Sequence, residues 1–494
     1  MNAEEQYETL DPENWDEMSE LAHRMVDDAI SYLKNVRERP VWRQVPDEIA
    51  EHFKDPVPLK PTSADEVYQQ FLEDVFPYPV GNVHPRFWAW YMGSGTIFGA
   101  LGEFMASIMN PNSKGGNQVS TILEEQVINW IKEMVGFPSE ASGILVSGSS
   151  MAAIIGLTVA RNTLAGFDVR VDGLQECTDR MTMYASSEIH SSNQKAIELL
   201  GLGSRNFRRV PVKSDYAMDL EALKATIATD RSEGYRPLCV IGSAGTINTG
   251  AIDDLNAIAD LCEQENMWFH VDGAIGAVGV LAQHIKPLLS GMERADSIAM
   301  DLHKAMHIPF EAGCALVRSK KAHRNAFTLT PEYLARDTRG LAAGELWFSD
   351  YGLQLSRQFR ALKVWMSIKE HGLERFGRMI DRNVAQAHYF GQLVENDPEM
   401  ELLAPIGMDI VCFRFNPGGL DDTALNSLNK DILVELQEQG IAAPSYTTLN
   451  GRYCLRIAIA NHRSRLEDFD VLAREVVRIG RELINKQRYQ DILL

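Results

Sequence analysis

The sequence predicts an α/β protein with a mostly parallel central β-sheet, an N-terminal helical segment and a small C-terminal α+β domain. Three observations predict this fold. The chain has 494 residues, which is more than one ordinary domain core needs. Its middle part alternates short apolar runs with helical patterns, the order that produces a parallel sheet covered by helices. Its last part mixes helices and strands over a shorter stretch.

Composition excludes several classes of function. The 48 Lys and Arg residues face 68 Asp and Glu residues, so the formal net charge is −20. An acidic surface repels nucleic acid and anionic membranes, and we expect neither as a partner. The 6 cysteines form no C-x-x-C pair, which favours reduced thiols over a zinc site or disulfides. The acidic start does not resemble a signal peptide, and no apolar run is long enough to span a bilayer, so we expect a cytoplasmic protein.

Residues 1–92 are predicted to form the N-terminal helical segment. Apolar residues recur at helical spacing up to about Pro61, and an aromatic and Pro-rich stretch follows. Trp88 and Trp90 lie in that stretch. From the sequence alone, either tryptophan could line a substrate pocket or belong to a core, because large aromatic side chains dominate both.

Residues 93–371 are predicted to form the large α/β domain. In sheets of this kind, ligands bind at the carboxyl ends of the strands. The predicted strands are 144–147, 181–186, 237–243, 267–272, 297–300 and 313–318.

Residues 372–494 are predicted to form the small C-terminal domain. Its order is a helix, a strand at 409–415, a helix at 423–439, a strand at 453–460 and a closing helix.

The strongest chemical signal is an acid and a lysine that follow different strands. Asp272 ends one predicted strand in His270–Ala274, and Lys304 comes just after another in Asp301–Lys304. The two side chains can therefore face one ligand. Pyridoxal 5′-phosphate needs this pair, because its aldehyde reacts with a lysine amine and its ring nitrogen needs a carboxylate. Taken singly, Asp272 could be a helix cap and Lys304 a solvated lysine.

Two further motifs fit the same cofactor. Gly148, Ser149 and Ser150 form a turn between a strand and a helix, where backbone N–H groups and hydroxyls can bind phosphate. Serine is also an ordinary helix cap, so the turn alone is a weak signal. His190 follows the next strand, where an imidazole could lie flat on an aromatic cofactor, although a single histidine there is usually structural.

The order of these motifs along the chain resembles that of the group II pyridoxal-phosphate-dependent amino acid decarboxylases. This family comprises aromatic-L-amino-acid, histidine and glutamate decarboxylases, and the resemblance is closest to the aromatic branch. It extends over most of the chain, including 84–90, 357–365 and 455–458. It implies the aspartate aminotransferase-like fold type I of pyridoxal-phosphate-dependent transferases. It also implies a homodimer with sites at the subunit interface, to which the N-terminal helices contribute.

The resemblance implies a role for each matching residue. Lys304 corresponds to the Schiff-base lysine and Asp272 to the partner of the ring nitrogen. Tyr333 matches the tyrosine of the catalytic loop, which protonates the substrate carbon after carbon dioxide has left. The remaining expected cofactor contacts are Gly148, Ser149, Ser150 and His303 at the phosphate, His190 stacked on the ring, and Thr246 and Ala274 along it.

We therefore expect decarboxylation of an L-amino acid to its amine, with an aromatic substrate such as tyrosine, DOPA, phenylalanine or tryptophan. Trp88, Trp90, His190 and Tyr333 are the expected substrate contacts. The alternatives are decarboxylation of a non-aromatic amino acid, a transaminase or aldehyde-forming enzyme on the same fold, and a non-catalytic scaffold. A transaminase could use Arg456 to hold the substrate carboxylate. Family members that form aldehydes tend to lack the loop tyrosine or the stacking histidine, and this chain has both.

The chain departs from the family pattern next to the lysine. Ala305 and Met306 follow Lys304 where the family usually has a tryptophan, and Asp301 occupies a position held by Asn or Asp. His303 and His307 have a spacing seen in zinc sites, but the general-base glutamate of such motifs is missing, so we expect no metal.

Overall fold

The computed structural model describes residues 9–176, 179–329 and 337–486. Cys177 and Tyr333 lie outside the described residues. Within them the chain forms one large and one small β-sheet, both covered by helices. The helices before the large sheet are α1 (Trp15–Lys34), α2 (Asp47–His52), α3 (Ala64–Gln70), α4 (Ile97–Met109) and α5 (Val119–Met134).

The large sheet has seven strands in the order β1-β7-β6-β5-β4-β2-β3. Strand β7 runs antiparallel to both of its neighbours, and the pairs among β2 to β6 are parallel, so the predicted mostly parallel sheet is confirmed. The strands are β1 (Ser142–Val146), β2 (Met181–Ser186), β3 (Phe207–Val210), β4 (Arg236–Ser243), β5 (Trp268–Gly273), β6 (Ser297–Asp301) and β7 (Gly313–Val317).

Strand β3 is not among the strands predicted from the sequence. It is the edge strand of the sheet, and only its first and last residues are buried. The Arg208 guanidinium is bound by the buried carboxylate of Asp230, with 2.7 Å between Nη2 and Oδ1. Edge strands often carry charged side chains, which explains why this one has no long apolar run.

Helices cover both faces of the large sheet. Every residue of β1, β2, β5, β6 and β7 is buried, which explains their continuous apolar sequences. The helices are α6 (Ser149–Leu164), α7 (Val169–Asp172), α8 (Ser191–Leu199), α9 (Leu220–Ser232), α10 (Leu255–Glu265), α11 (Lys320–Phe327) and α12 (Arg360–His371).

The small sheet has four antiparallel strands in the order β10-β11-β9-β8, with a core rich in phenylalanine. Asn450 and Gly451 join β10 to β11. Both have positive φ, which is typical of a two-residue hairpin turn. The strands are β8 (Met400–Leu402), β9 (Ile410–Phe415), β10 (Ser445–Leu449) and β11 (Arg452–Ala458), and the helices are α13 (Leu373–Asn396), α14 (Asp422–Glu438) and α15 (Leu466–Asn485).

Helix α4 packs its small residues inward and leaves its large apolar residues exposed. A Cβ atom on Gly102 would lie 2.9 Å from Met366 Sδ, so α4 and α12 are in close contact there. The opposite face exposes Phe104, Ile108 and Met109, with between 52% and 66% of each residue accessible. Across the described ranges, no helix is long and apolar enough to cross a membrane.

Candidate active site

The predicted site residues lie at one edge of the large sheet. The parallel pairing of β4, β5 and β6 aligns Ser243 with Asp272 and Asp272 with Ala299. Strand β6 ends at Asp301, three residues before Lys304. The carboxyl ends of these strands therefore bring the expected acid and lysine to neighbouring positions, as the sequence predicted.

The turn at Gly148 connects β1 to α6. It lies against β7 so closely that a Cβ atom on Gly313 would be 2.5 Å from Gly148 Cα. The N-cap residue of α6 is Gly148, which has no side chain to cap the helix. Ser150 is exposed at this end. The turn can therefore bind an anion at the helix N-terminus.

A buried ion pair holds β1 in position behind this turn. Both side chains of Glu124 and Arg357 are 0% exposed, and Arg357 Nη2 lies 2.6 Å from Glu124 Oε1. The same two side chains bind the backbone of Leu145, which donates to Glu124 and accepts from Arg357. The ion pair thus fixes the end of β1, from which the turn begins.

Lys304 and Asp301 form an ion pair next to the turn. Lys304 Nζ lies 3.0 Å from Asp301 Oδ2. Ser149 donates twice to the same carboxylate, from its backbone N–H to Oδ1 at 2.6 Å and from its hydroxyl to Oδ2 at 2.8 Å. Asp301 therefore connects the proposed phosphate turn to the proposed cofactor lysine.

The backbone of Lys304 is packed against Gly93. A Cβ atom on Gly93 would lie 2.1 Å from the carbonyl oxygen of His303 and 2.4 Å from that of Lys304. Only glycine permits this close approach. The segment that follows Trp90 and Tyr91 therefore contributes to the wall beside the lysine.

Asp272 is held by a neighbour that the sequence did not reveal. Asn193, on the first turn of α8, donates from Nδ2 to Asp272 Oδ2 at 2.6 Å. The backbone N–H of Ala274 donates to the other carboxylate oxygen at 3.3 Å. The one signal in the sequence was the position of Asn193 three residues after His190, which places it in the first turn of the helix beside the predicted site.

His190 is the N-cap of α8, and its Nδ1 accepts from the backbone N–H of Ser192. The side chain is exposed, yet desolvation by the surrounding protein lowers its pKa. The charges of Asp272, which raises this pKa, and of Lys304, which lowers it, both act on the imidazole. His190 therefore lies close to both members of the acid and lysine pair.

Thr246 lies in the loop after β4. It is buried, and its hydroxyl oxygen accepts from the backbone N–H of Ala251 and lies 3.1 Å from the Thr249 hydroxyl. Its side chain therefore stabilises its own turn.

The structure separates the two tryptophans. Trp88 is 1% exposed, stacks on Phe469 with ring centroids 4.8 Å apart, and donates its indole N–H to Ser464. Trp88 is thus a core residue of the small domain, which corrects its expected place in a substrate pocket. Trp90 is 58% exposed and lines a cavity of about 660 Å³ with Phe87 and Tyr446. None of the predicted cofactor residues lines that cavity.

Arg456 uses most of its donors on the backbone. Its Nη1 donates to the carbonyl of Trp90 at 2.6 Å and its Nε to the carbonyl of Asn248 at 3.0 Å. Only Nη2 has no hydrogen-bond partner among the described residues. Burial lowers the pKa of this guanidinium. Arg456 therefore connects β11 of the small sheet to the loops that contain Asn248 and Trp90. The transaminase alternative assigns this guanidinium to the substrate carboxylate instead.

Three buried polar atoms near the same edge of the sheet have no hydrogen-bond partner among the residues that the structure describes. They are the hydroxyls of Ser186 and Ser243, at the ends of β2 and β4, and Oδ1 of Asn193. Buried polar groups are nearly always hydrogen-bonded, so such a group indicates a missing partner. Together with the acid, the lysine and the helix N-terminus at Gly148, these atoms fit a polar aromatic cofactor that carries a phosphate.

Comparison with known proteins identifies the family. A model of the pyridoxal-dependent decarboxylase conserved domain matches residues 46–416, about three quarters of the chain. The chain belongs to the pyridoxal-dependent decarboxylase family. The resemblance drawn from the sequence motifs is thereby confirmed, and so are pyridoxal 5′-phosphate as the cofactor and the assignment of the enzyme as a carboxy-lyase.

Similar proteins cover this decarboxylase almost end to end. An aromatic-L-amino-acid decarboxylase of Bacillus atrophaeus is 32% identical over 95% of this chain and 96% of its own length. A phenylacetaldehyde synthase of Petunia hybrida is 28% identical over 91% of each chain. Among solved structures, Oryza sativa TDC with PLP and tryptamine has a TM-score of 0.89 at 25% identity, over 97% of this chain and 100% of that one. The decarboxylase therefore has the expected fold type I.

Proposed function

We propose that this decarboxylase converts an aromatic L-amino acid to the corresponding amine and carbon dioxide. The observation that carries the proposal is the placement of Asp272, bound by Asn193, beside Lys304 at adjoining strand ends. The named activity of the Bacillus atrophaeus relative supports an aromatic substrate.

Each proposed cofactor contact has a specific task. Lys304 Nζ is the amine that would hold the aldehyde of the cofactor. The turn of Gly148, Ser149 and Ser150 would hold the phosphate, with His303 beside it. Asp272 keeps the ring nitrogen protonated through a charge-assisted hydrogen bond. When bound, the cofactor would supply an electron sink for the decarboxylation.

The remaining proposed residues orient the substrate and move a proton. His190 stacks on the ring, while Thr246 and Ala274 border it from the loops after β4 and β5. Tyr333 supplies the proton to the substrate carbon. Trp90 remains the proposed aromatic contact of the substrate, and Arg456 binds its carbonyl.

A substrate screen tests the proposal. The purified enzyme, loaded with pyridoxal 5′-phosphate, is incubated with each common amino acid and with DOPA, and carbon dioxide and amine are both measured. We expect one amine per carbon dioxide, with aromatic substrates fastest. Turnover of acidic or small aliphatic substrates alone would overturn the aromatic assignment and leave the decarboxylase chemistry in place.

Aldehyde formation is the second candidate, because the Petunia hybrida relative is a phenylacetaldehyde synthase. That reaction consumes oxygen and water with the amino acid, and releases the aldehyde, carbon dioxide, ammonia and hydrogen peroxide. An oxygen electrode and a peroxide assay in the same incubations distinguish the two outcomes. The transaminase alternative is less well supported, because two of the three nitrogens of Arg456 already bind backbone carbonyls.

We also propose that the enzyme works as a homodimer. The outward face of α4 supports this, because exposed apolar patches of this kind mark interaction sites. Helix α5 extends the patch, with Val119 59% and Ile122 61% exposed. Arg357 binds both the carbonyl of Ser113, in the loop between α4 and α5, and the carbonyl of Leu145 on β1.

We further propose a cytoplasmic location and the domain division at 92/93 and 371/372. The cysteines at 239, 262, 314, 412 and 454 are free thiols, which supports a reducing compartment. Gly372, with φ of +67°, separates α12 from α13, and this sharp turn supports the second boundary.

A further inference from the structure

Asp301 accepts hydrogen bonds from groups of Ser149 that the proposed phosphate would also use. Its carboxylate accepts from the N–H and the hydroxyl of Ser149 and pairs with Lys304. Its side chain is only 3% exposed, so water cannot replace these partners. The Asp301 carboxylate is therefore already bound to Ser149, in the turn at which the cofactor phosphate is proposed to bind.

Phosphate binding then creates a conflict between like charges. A phosphate ester carries a charge of about −1.5 to −2 at neutral pH. At hydrogen-bonding distance from Ser149 it lies next to the Asp301 carboxylate, and anions so close disfavour each other's charged form. Lys304 balances Asp301 in the free chain. The additional charge of the phosphate needs a further proton or cation.

His303 is built to supply that positive charge. Its Nε2 lies 3.8 Å from Asp301 Oδ2. Its Nδ1 lies 3.2 Å from the backbone N–H nitrogen of Ala312 and 3.1 Å from the carbonyl oxygen of the same residue. A neutral imidazole can accept from that N–H, and a protonated one can donate to that carbonyl. Both protonation states of His303 therefore have partners in the same place.

The electrostatic setting favours a change in protonation on binding. Burial lowers the pKa of His303 and the charge of Asp301 raises it, with a net lowering in the free chain. Burial also raises the pKa of Asp301, but Lys304 and His303 lower it further, so this carboxylate is ionised. A phosphate beside the pair adds a second negative charge that raises the pKa of His303.

Other titratable groups face this pair from neighbouring elements. Lys363 on α12 acts on His303 and is paired with Glu103 on α4, with 2.9 Å between Nζ and Oε2. His190 before α8 is influenced by Asp301, by Lys304 and by Asp272 at the end of β5. None of these groups donates a hydrogen bond to Asp301 in the described part of the chain, whereas Ser149 and Lys304 are its direct partners.

We propose that binding of a phosphate ester at the turn around Ser149 is coupled to the uptake of a proton by His303, and that Asp301 is the positioning residue that sets this coupling. The proposal rests on the proposed function, because it takes this turn to be the phosphate site of the cofactor. It assigns a role to the aspartate at position 301 that an asparagine cannot perform.

Calorimetry with pyridoxine 5′-phosphate tests the proposal without any covalent step, because this alcohol cannot react with Lys304. Binding is measured near pH 7.5, where the ester has lost its second proton, in two buffers of different ionisation enthalpy. The difference in heat gives the number of protons taken up. We expect net uptake in the wild type and loss of more than half of it in Asp301→Asn and in His303→Gln.

The pH dependence of affinity gives a second readout. Protonation stabilises the complex below the pKa of His303 in the bound state, and this contribution is lost as the pH rises through that pKa. The dissociation constant of the wild type should therefore rise by up to tenfold per pH unit in this window. Asp301→Asn should show a flatter profile, with the titrations of the ligand itself unchanged.

His284→Gln is the matched control. His284 forms a histidine and carboxylate pair with Asp381 at 2.8 Å, on the surface and outside the site. The His284→Gln variant should take up as many protons as the wild type when it binds pyridoxine 5′-phosphate. If Asp301→Asn does not fold, His303→Gln alone decides.

Equal proton uptake in the wild type and in both site variants would overturn the coupling. If His303→Gln still takes up the proton while Asp301→Asn does not, the assignment of the proton to His303 is overturned. Saturable binding without proton uptake contradicts only this inference. Absence of binding to the wild type contradicts the proposed phosphate site as well.

Discussion

At the residue scale, the hydrogen bond from Asn193 to Asp272 determines how the acid is presented. The amide binds one carboxylate oxygen at 2.6 Å, while the other oxygen has only a longer bond to Ala274. A carboxylate that receives hydrogen bonds is stabilised in its charged form. Asn193 therefore orients the Asp272 carboxylate toward the place proposed for the ring nitrogen.

Replacement of the acid tests its role directly. In Asp272→Asn the side chain keeps its shape and loses its charge. Removing one member of a buried charged pair costs about 3–5 kcal/mol, so we expect kcat to fall at least about a hundredfold. Carbon dioxide release from the holoenzyme measures the effect. Asp254→Asn, which keeps a helix cap at α10, should leave activity unchanged. A loss of only a few fold in Asp272→Asn would contradict the assignment.

Replacement of the amide tests the supporting bond. Asn193→Leu retains the size of the side chain and removes a hydrogen bond to a charged group, which is worth about 1.5–3 kcal/mol. We expect cofactor affinity to fall by about ten- to a hundredfold, measured by absorbance titration of the cofactor-free protein. Asn193→Asp places a second carboxylate against Asp272 and should weaken binding further. Unchanged affinity in both variants would exclude a role in cofactor binding.

At the element scale, the position of β1 depends on residues from three separate segments. Arg357 binds Glu124 on α5, the carbonyl of Leu145 on β1 and the carbonyl of Ser113 in the loop after α4. Helix α6 starts directly after the turn that follows β1. The ion pair therefore acts on the phosphate turn through the strand, without contact to any ligand.

This ion pair should be costly to break. Glu124→Gln leaves the Arg357 guanidinium buried without its counter-charge, so we expect the free energy of unfolding to fall by about 3–5 kcal/mol. Urea denaturation of the cofactor-free protein, followed by circular dichroism, measures this change. Glu374→Gln breaks an exposed pair with Arg378 and should change stability by less than about 1 kcal/mol. Equal effects of the two variants would contradict the structural role of the buried pair.

The elements that the sequence predicted share one physical property. Strands β1, β2, β5, β6 and β7 are buried along their whole length, so their sequences are continuous apolar runs. Strand β10 was not predicted, because buried and exposed residues alternate along it and its sequence therefore has no continuous apolar run. An apolar run thus identifies a strand that is covered on both faces. Edge strands such as β3 and β10 are only partly buried and lack such a run.

Predicting the site from the sequence was limited by long-range contacts. Asp272 and Lys304 were predictable, because strand ends of a parallel sheet meet at one edge. The bonds from Asn193 to Asp272 and from Ser149 to Asp301 join residues that are far apart in the chain, and no local pattern encodes them. Trp88 shows the same limit, since its burial depends on Phe469 near the other end of the chain.

At the scale of the whole molecule, the exposed face of α4 is the proposed interface between subunits. We expect the double variant Ile108→Asp and Met109→Asp to be a monomer, because two charges in an apolar interface remain unpaired. Light scattering after size-exclusion chromatography measures the mass. Leu199→Asp changes an equally exposed leucine on α8, 70% accessible, and should remain dimeric. A dimer in both variants would place the interface elsewhere.

The order of strands in the large sheet also has a consequence for biosynthesis. Strand β1 pairs only with β7, which leaves the ribosome roughly 170 residues later. At about 5–20 residues per second, translation leaves β1 without its partner for roughly 10–30 seconds. Asp301 and Lys304 emerge late in the same interval. A nascent chain therefore cannot capture the vitamin-derived coenzyme until more than half of the polypeptide has been made.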